Sequence, residues 1–526
     1  MTQIDRRGLL AAATVSLAAA GIAACSPFQA PVLRDSASPE AVPATTGPAA
    51  TTAPDWKGLA SRVTGQLALP GAGSYNQVKL LQNPRFDTSQ PLAVLSATSS
   101  HDVAVAVRFA ADTGVPIVVR AGGHSYSGYS SGDAPAAGLA PSLVIDVRNL
   151  SGITVNDNGT VTMGPGASLI RAYEAVGRRG RALAGGSCPT VGIAGLTLGG
   201  GVGVLTRAYG LTSDALQSAE IVTAKGDVVT ANAQENADLL WACRGGGGQV
   251  GVVTSLTFRT VPAPTISTAY LQWSFVDAVP VILAWQKWAT NADPRLWSTL
   301  KLLSGARHKS PTIQLTATWT GPAPDFDGQL AGLHDAAGVL PLVTSVKPDR
   351  SYLSVMFGYA GCADYPVGKC TTGTGGSLRR EALSATSHVP YKLLDATGAS
   401  RLVDRCVLGQ QLKGARETAV SLDALGGAVA DIEDTATGFG HRKAFATVQY
   451  SATFEDGADP APFDAFVRGS RDAMKPFWGT SAYSNYSDSS ITDPGSAYFG
   501  GNAPRLAAIR SAADPTGIFA LPPFRP

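Results

Sequence analysis

The stretch Val118-Val119-Arg120-Ala121-Gly122-Gly123-His124-Ser125-Tyr126-Ser127-Gly128-Tyr129-Ser130 decides the reading of this chain. A β-branched run, which favours a strand, drives into a Gly-Gly turn, and a histidine follows at once. Further on, Gly185-Gly186-Ser187-Cys188-Pro189-Thr190-Val191-Gly192 presents a cysteine in the same way. Two nucleophiles thus stand on two tight glycine loops.

The bulk composition narrows what such loops serve. A chain of 526 residues can bury more than one core. Its 41 basic and 39 acidic side chains leave a formal charge of +2, which offers no electrostatic footprint for nucleic acid or an anionic membrane. Charged residues make up only 15%, against roughly 25% in an average globular protein. The surface therefore leans on Ser, Thr, Gly and Asn.

Residues 1–25 read as a signal peptide. Arg6-Arg7 precede the apolar run Gly8 to Ala24, which is shorter than the ~20 residues of a membrane span. The paired arginines point to the twin-arginine route, which exports folded proteins. Ile22-Ala23-Ala24-Cys25 resembles a bacterial lipobox, so membrane contact is expected only through a lipid on Cys25. Residues 26–56, rich in Pro, Ala, Ser and Thr, read as a disordered tether. An exported chain meets an oxidising compartment, so a short-loop disulfide Cys362–Cys370 is expected, with Cys243 and Cys406 as buried thiols.

Residues 57–262 alternate β-branched runs (116–120, 142–146, 220–224, 250–258) with helical spacing over 103–113 and 169–179, and Asp227 marks a hairpin turn. This is an α+β pattern. Over 263–462 the runs lengthen (312–319, 419–425, 444–454) and alternate with helices at 276–292 and 326–337. A single antiparallel sheet covered by helices fits, forming one wall of a cleft. Residues 463–526 open on a helix begun at Pro462 and close on another, 502–512, stopped by Asp514-Pro515.

Two tempting motifs fail. Gly199-Gly200-Gly201-Val202-Gly203 lacks the Lys-Ser/Thr of a P-loop. Gly246-Gly247-Gly248-Gln249-Val250-Gly251 matches G-x-G-x-x-G but runs into the strand Val252 to Phe258 instead of opening a helix. Their bare N–H groups can still approach a pyrophosphate. His101, His308, His334, His388 and His441 show no metal-ligand spacing, so no metal and no Ser-His-Asp hydrolase is expected.

The ordered markers are Arg120-Ala121-Gly122-Gly123-His124, Cys188-Pro189-Thr190-Val191-Gly192, Leu198-Gly199-Gly200-Gly201 and Tyr209-Gly210-Leu211-Thr212-Ser213-Asp214. Then come Asp238-Leu239-Leu240-Trp241, Arg244-Gly245-Gly246-Gly247-Gly248, Tyr483-Ser484-Asn485-Tyr486-Ser487-Asp488 and Arg505 through Asp514-Pro515. Together they resemble the berberine bridge enzyme-like oxidases of the vanillyl-alcohol-oxidase, or PCMH-type FAD-binding, superfamily. The resemblance covers nearly all of residues 60–526.

That resemblance implies a two-part FAD-binding domain, 57–262 with 463–526, around an inserted substrate domain, 263–462. It implies FAD bonded through its 8α-methyl to His124 and through C6 to Cys188, which raises the flavin potential. Cofactor contacts carry over to Arg120, Gly122, Gly123, Ser125, Ser187, Val191, Gly192, Gly195, Gly199, Gly201, Gly203, Val253, Tyr483 and Asn485. Tyr486 matches the family base, and Tyr126 and Gln449 match active-site positions. His441-Arg442 resembles a structural element. Valine at 191 is the oxygen-permissive choice, implying an oxidase that makes H2O2.

A tyrosine of pKa near 10 is a poor base at neutral pH, so Tyr486 needs a nearby cation or donors that favour the phenolate. The expected reaction is oxidation of a small-molecule alcohol with O2 as acceptor, foremost a sugar C1 hydroxyl to the lactone. The expected protein is a monomer in the extracellular space or cell envelope. Oxidation of an alkaloid, polyketide or glycosylated natural product is the alternative, which a pocket of aromatics and aliphatics would favour. A non-catalytic flavin-binding lipoprotein is the remote one.

Overall fold

The computed structural model describes residues 54–519 and 521–522. The expected signal peptide, its Cys25 and nearly all of the expected tether lie outside them; Trp56 already opens the first helix, Trp56–Arg62.

The first unit is a four-stranded sheet in the order Gln66–Ala68, Ala93–Ser96, Leu143–Asp146, Ile117–Arg120. Leu143–Asp146 is buried at every position and pairs in parallel with both neighbours, which explains its unbroken apolar reading. The helix Ser100–Thr113 makes the crossover. Ser99 caps it by accepting from the Asp102 N–H, and Gly114 ends it at φ 70°.

A five-stranded antiparallel sheet follows, in the order Ile153–Val155, Thr160–Met163, Val252–Arg259, Leu216–Val222, Val228–Ala231. The expected turn beside Asp227 joins its last two strands, with Gly226 at φ 75°. Leu506 and Ile509 of the C-terminal helix Ala503–Ala513 enter the same core as Leu169, Tyr173, Leu240 and Phe258. The C-terminal helix therefore shares a core with the five-stranded sheet.

The inserted sheet is antiparallel and seven-stranded: Val343–Ser351, Thr265–Trp273, Thr312–Trp319, Leu296–Ser304, Ala415–Ala424, Ala446–Phe454, Ala382–His388. Period-2 alternation gives it two unlike faces. Leu271, Ile313, Leu315, Leu300, Leu302, Leu422 and Val448 share one core with helices 278–291, 326–337 and 396–410. The opposite face carries Gln272, Gln314, Lys301, Ser421, Gln449 and Ser387 in one register row. This polar face is the wall that matters for function.

Two boundaries differ from expectation. The helix Ala461–Trp478 sets Phe463, Val467, Met474 and Trp478 into the seven-stranded sheet's core. It closes the middle layer instead of opening the C-terminal part at 463. In the other direction, the helix Tyr352–Tyr359 leaves the insert, and its Tyr352, Val355 and Met356 pack in the core of the five-stranded sheet. The Tyr352 hydroxyl donates to the Leu183 carbonyl at 3.0 Å. Cys362 and Cys370 are joined, Cα atoms 5.9 Å apart, and Cys243 and Cys406 are buried thiols. No described helix is long and apolar enough to cross a membrane.

Candidate active site

The two glycine loops meet back to back. A Cβ on Gly122 would lie 2.3 Å from the Gly192 nitrogen, and one on Gly192 would lie 2.5 Å from the Gly122 nitrogen. Only two glycines allow that approach. It brings His124 Nε2 within 2.9 Å of Thr190 Oγ1. Burial pushes the His124 pKa down to about 4, with hydrogen bonding to Thr190 pulling weakly the other way. The imidazole is therefore neutral near pH 7 and keeps a nucleophilic lone pair. Cys188 is exposed at its surface yet sits deep in the fold. Burial raises its pKa and the Lys301 charge opposes that rise. Ser187 and Val191 flank it, both half-buried.

Arg120, expected as a cofactor contact, spends most of its side chain on the fold. Its Nε and Nη2 donate to Asp146 Oδ2, Nη1 donates to the Lys79 carbonyl and Nη2 also to the Val78 carbonyl. The fully buried guanidinium anchors the end of its strand through these four bonds. Ser125 accepts from the Tyr129 N–H within its own turn, and Gly123 holds φ 71° there.

The second glycine loop is held from behind. Gly203 packs on Gly185 so closely that a Cβ would fall 1.7 Å from the Gly185 carbonyl oxygen. Tyr483 Oη accepts from the Gly201 and Val202 N–H groups at 2.9 and 3.1 Å, and from Asn485 Nδ2 at 2.9 Å. Asn485 Nδ2 also donates to the Leu196 carbonyl at 3.0 Å, and its side chain sits where a Gly199 Cβ would be. Tyr483 and Asn485, expected as cofactor contacts, thus support the loop that carries Gly199, Gly201 and Gly203. The Val253 side chain is buried in the core of the five-stranded sheet, which leaves its main chain as the part that could meet a cofactor. Gly195 alone among the expected glycines has nothing within 4 Å of its Cβ position.

Over these loops stand three tyrosines. The rings of Tyr126 and Tyr486 stack at 5.8 Å and 14°, and Tyr483 meets Tyr486 edge-on at 5.0 Å and 83°. Gln449 Nε2 donates to Tyr126 Oη at 2.9 Å. So the sequence-expected trio of Tyr486, Tyr126 and Gln449 does come together.

One residue escaped the sequence reading. Asp423 lies on the polar face, paired in register with Thr299 and with Thr447. Burial raises its pKa, opposed by the neighbouring Thr299 side chain and by the Lys301 charge. Tyr486 is raised well above 10, by burial first and then by the Asp423 charge. Where a cation or donors favouring a Tyr486 phenolate were expected, the neighbouring Asp423 carboxylate disfavours it. The one legible signal was an acid at a polar position of an alternating strand, Val420-Ser421-Leu422-Asp423-Ala424.

Two nucleophilic side chains on separate loops, one a neutral imidazole, face a tyrosine-lined wall, beside main chain stripped of Cβ atoms. That donor set fits FAD: His124 and Cys188 toward the ring, and the glycine main chain and Ser187 toward the polar parts. An FAD-dependent oxidoreductase acting on CH–OH groups is the class this fold and site define. An FAD binding domain family matches residues 91–232, and the family "Berberine and berberine like" matches residues 482–523. A glucooligosaccharide oxidase from Sarocladium strictum is 30% identical over 448 residues, 82% of this chain and 86% of that protein. The structure of the Physcomitrella patens BBE-like 1 protein superposes with a TM-score of 0.78 at 26% identity, covering 89% of this chain and 99% of that one. A glucooligosaccharide oxidase from Acremonium strictum, with a 6-S-cysteinyl, 8α-N1-histidyl FAD, gives 0.77 at 27% identity over 88% and 96%. The chain belongs to the berberine bridge enzyme-like family of FAD-linked oxidases.

Proposed function

We propose that this chain oxidises the C1 hydroxyl of a sugar or oligosaccharide to the lactone, with FAD tethered to His124 and Cys188 and O2 as electron acceptor. The observation that carries the reading is Tyr486, packed between Tyr126 and Tyr483 under the influence of the Asp423 carboxylate. Bound FAD supplies the hydride acceptor. The protein's part is to take the hydroxyl proton. Tyr486 receives it while passing its own phenolic proton toward Asp423. A carboxylate whose pKa is raised by burial holds that proton better than an ordinary one. Gln449 fixes the orientation of Tyr126 beside it.

The polar row Gln272, Gln314, Lys301, Ser421 and Gln449 supports a substrate rich in hydroxyl groups over an apolar natural product. The oligosaccharide oxidase relative supports the same choice. Export by the twin-arginine route, with Cys25 as a lipid anchor, belongs to this reading. Its support is Arg6-Arg7 and the Cys362–Cys370 disulfide.

The test uses protein purified from an exporting host. Glucose, cellobiose and longer neutral oligosaccharides are expected to release H2O2 and to bleach the flavin under nitrogen, with colour returning in air. Acid-precipitated protein is expected to stay yellow. A sugar-reduced flavin that persists for minutes in air would rule out the oxidase, and a colourless pellet would rule out the tethers.

A further inference from the structure

We propose that Thr190 is a positioning residue for flavin attachment: it engages His124 Nε2 and so leaves Nδ1 as the ring nitrogen that bonds the flavin 8α-carbon. The inference rests on the covalent tether proposed above and adds the device that selects its atom.

Three observations carry it. First, His124 Nε2 and Thr190 Oγ1 lie 2.9 Å apart, and the Thr190 main chain also bonds the ring, so both polar groups of this one residue hold the imidazole. Second, the contact is set by main chain, because Gly122 and Gly192 hold the two loops at a separation no other residue pair permits. The ring is thus oriented before any cofactor arrives. Third, Thr190 stands two residues after Cys188, so the segment that bears one nucleophile also orients the other. A threonine suits the task because its hydroxyl both accepts and donates. Before attachment it accepts from Nε2–H, which leaves the lone pair on Nδ1. Burial keeps that imidazole from taking a second proton near pH 7.

The chemistry balances as follows. The 8α-methyl gives up one proton, and a bond forms between its carbon and Nδ1. The alkylated ring releases its Nε2 proton to solvent, and the Thr190 hydroxyl turns to donate to Nε2. The two electrons left on the flavin pass to O2, the oxidase's own acceptor, which takes two protons and leaves as H2O2. One C–N bond replaces one C–H and one N–H bond.

The test is made in a Cys188→Ala parent, where His124 is the only tether. Parent, Thr190→Val, Thr190→Ala and Thr190→Ser proteins are compared by the fraction of flavin retained after acid precipitation. Each proteolytic digest is then analysed for its histidyl-flavin isomer. Flavin bound before acid treatment reports folding, and valine nearly matches threonine in shape. The parent is expected to yield N1-histidyl flavin. The Val and Ala proteins are expected to retain at least tenfold less of it, or to shift to the N3 isomer, and Ser is expected to restore it. Val and Ala proteins with the parent's amount of N1-histidyl flavin would overturn the role of Thr190, and so would an N3 isomer in the parent; both leave the tether standing. Should the Val and Ala proteins not fold, the parent's isomer and the Ser protein's yield still decide: N3 in the one, or loss of linkage in the other, overturns the proposal. No histidyl flavin in either the parent or the unsubstituted protein would remove the tether and this inference together.

Discussion

Gln449 donates from Nε2 to the Tyr126 phenol at 2.9 Å, across 323 residues of sequence. The bond joins the inserted sheet to the loop that carries His124, so it couples the substrate wall to the cofactor side. A typical hydrogen bond contributes about 0.5–1.5 kcal/mol net. Gln449→Ala is therefore expected to lower kcat/KM for a neutral oligosaccharide by roughly 3- to 10-fold with the flavin still attached. Steady-state peroxide release checks the rate and acid precipitation checks the attachment. An unchanged kcat/KM would reduce the bond to a packing detail.

Tyr486→Phe removes the hydroxyl and keeps the stack on Tyr126. General base catalysis contributes typically about 10²–10⁴-fold. Anaerobic rapid mixing is expected to show flavin reduction slowed by roughly that factor, while the visible spectrum of the oxidised flavin is preserved. A loss of only a few fold would transfer the proton-accepting role to Tyr126.

Asp423 sets a pH dependence whose sign follows from its raised pKa. The carboxylate form, able to take the Tyr486 proton, exists only above that pKa. The rate of flavin reduction is therefore expected to climb with pH through a midpoint above the ordinary carboxylate range, and Asp423→Asn is expected to abolish the climb at a much lower rate. Stability runs the other way. A carboxyl whose folded pKa exceeds its unfolded one favours folding below the unfolded pKa and loses that contribution as pH rises through the folded one. At neutral pH the buried charge is a liability, so Asp423→Asn is expected to melt higher than the unsubstituted protein. A lower melting point would mean the Thr299 and Lys301 contacts outweigh burial.

Much of this arrangement was legible in the chain because local chemistry and tertiary role coincide there. The β-branched run ending in Gly122-Gly123 had to be a strand and a turn, and Gly246 to Gly251 had to enter a strand, as Val252–Arg259 does. The alternation in Thr312 to Trp319 gave the covered sheet. What escaped depends on partners far away in sequence. Nothing local shows that the Arg120 guanidinium is held by Asp146, Lys79 and Val78. Asp423 went unseen because its meaning comes from Tyr486, brought near by the return of the chain to the FAD side. The boundary at 463 failed because a helix start says nothing of which core takes its apolar face.

Two of the glycines expected to meet the cofactor separate support from contact. A Cβ at Gly203 would strike the Gly185 carbonyl oxygen at 1.7 Å, and both partners are main chain, so neither can swing away. Forcing atoms into a filled site typically costs about 1–3 kcal/mol, occasionally more. The shift would also pull the Gly201 and Val202 N–H groups from Tyr483 Oη. Gly203→Ala is thus expected to lower the melting point and the FAD content together. Gly195 differs: it lies inside the helix Ile193–Leu198 with open space around its Cβ position. Alanine is favoured over glycine in a helix by about 1 kcal/mol, so Gly195→Ala is expected to melt no lower than the unsubstituted protein. If that open space is where cofactor lies, the same substitution lowers FAD content, read as the ratio of flavin to protein absorbance. A Gly195→Ala protein with full flavin would assign the space to solvent, and a Gly203→Ala protein of unaltered stability would contradict the close packing of the two loops.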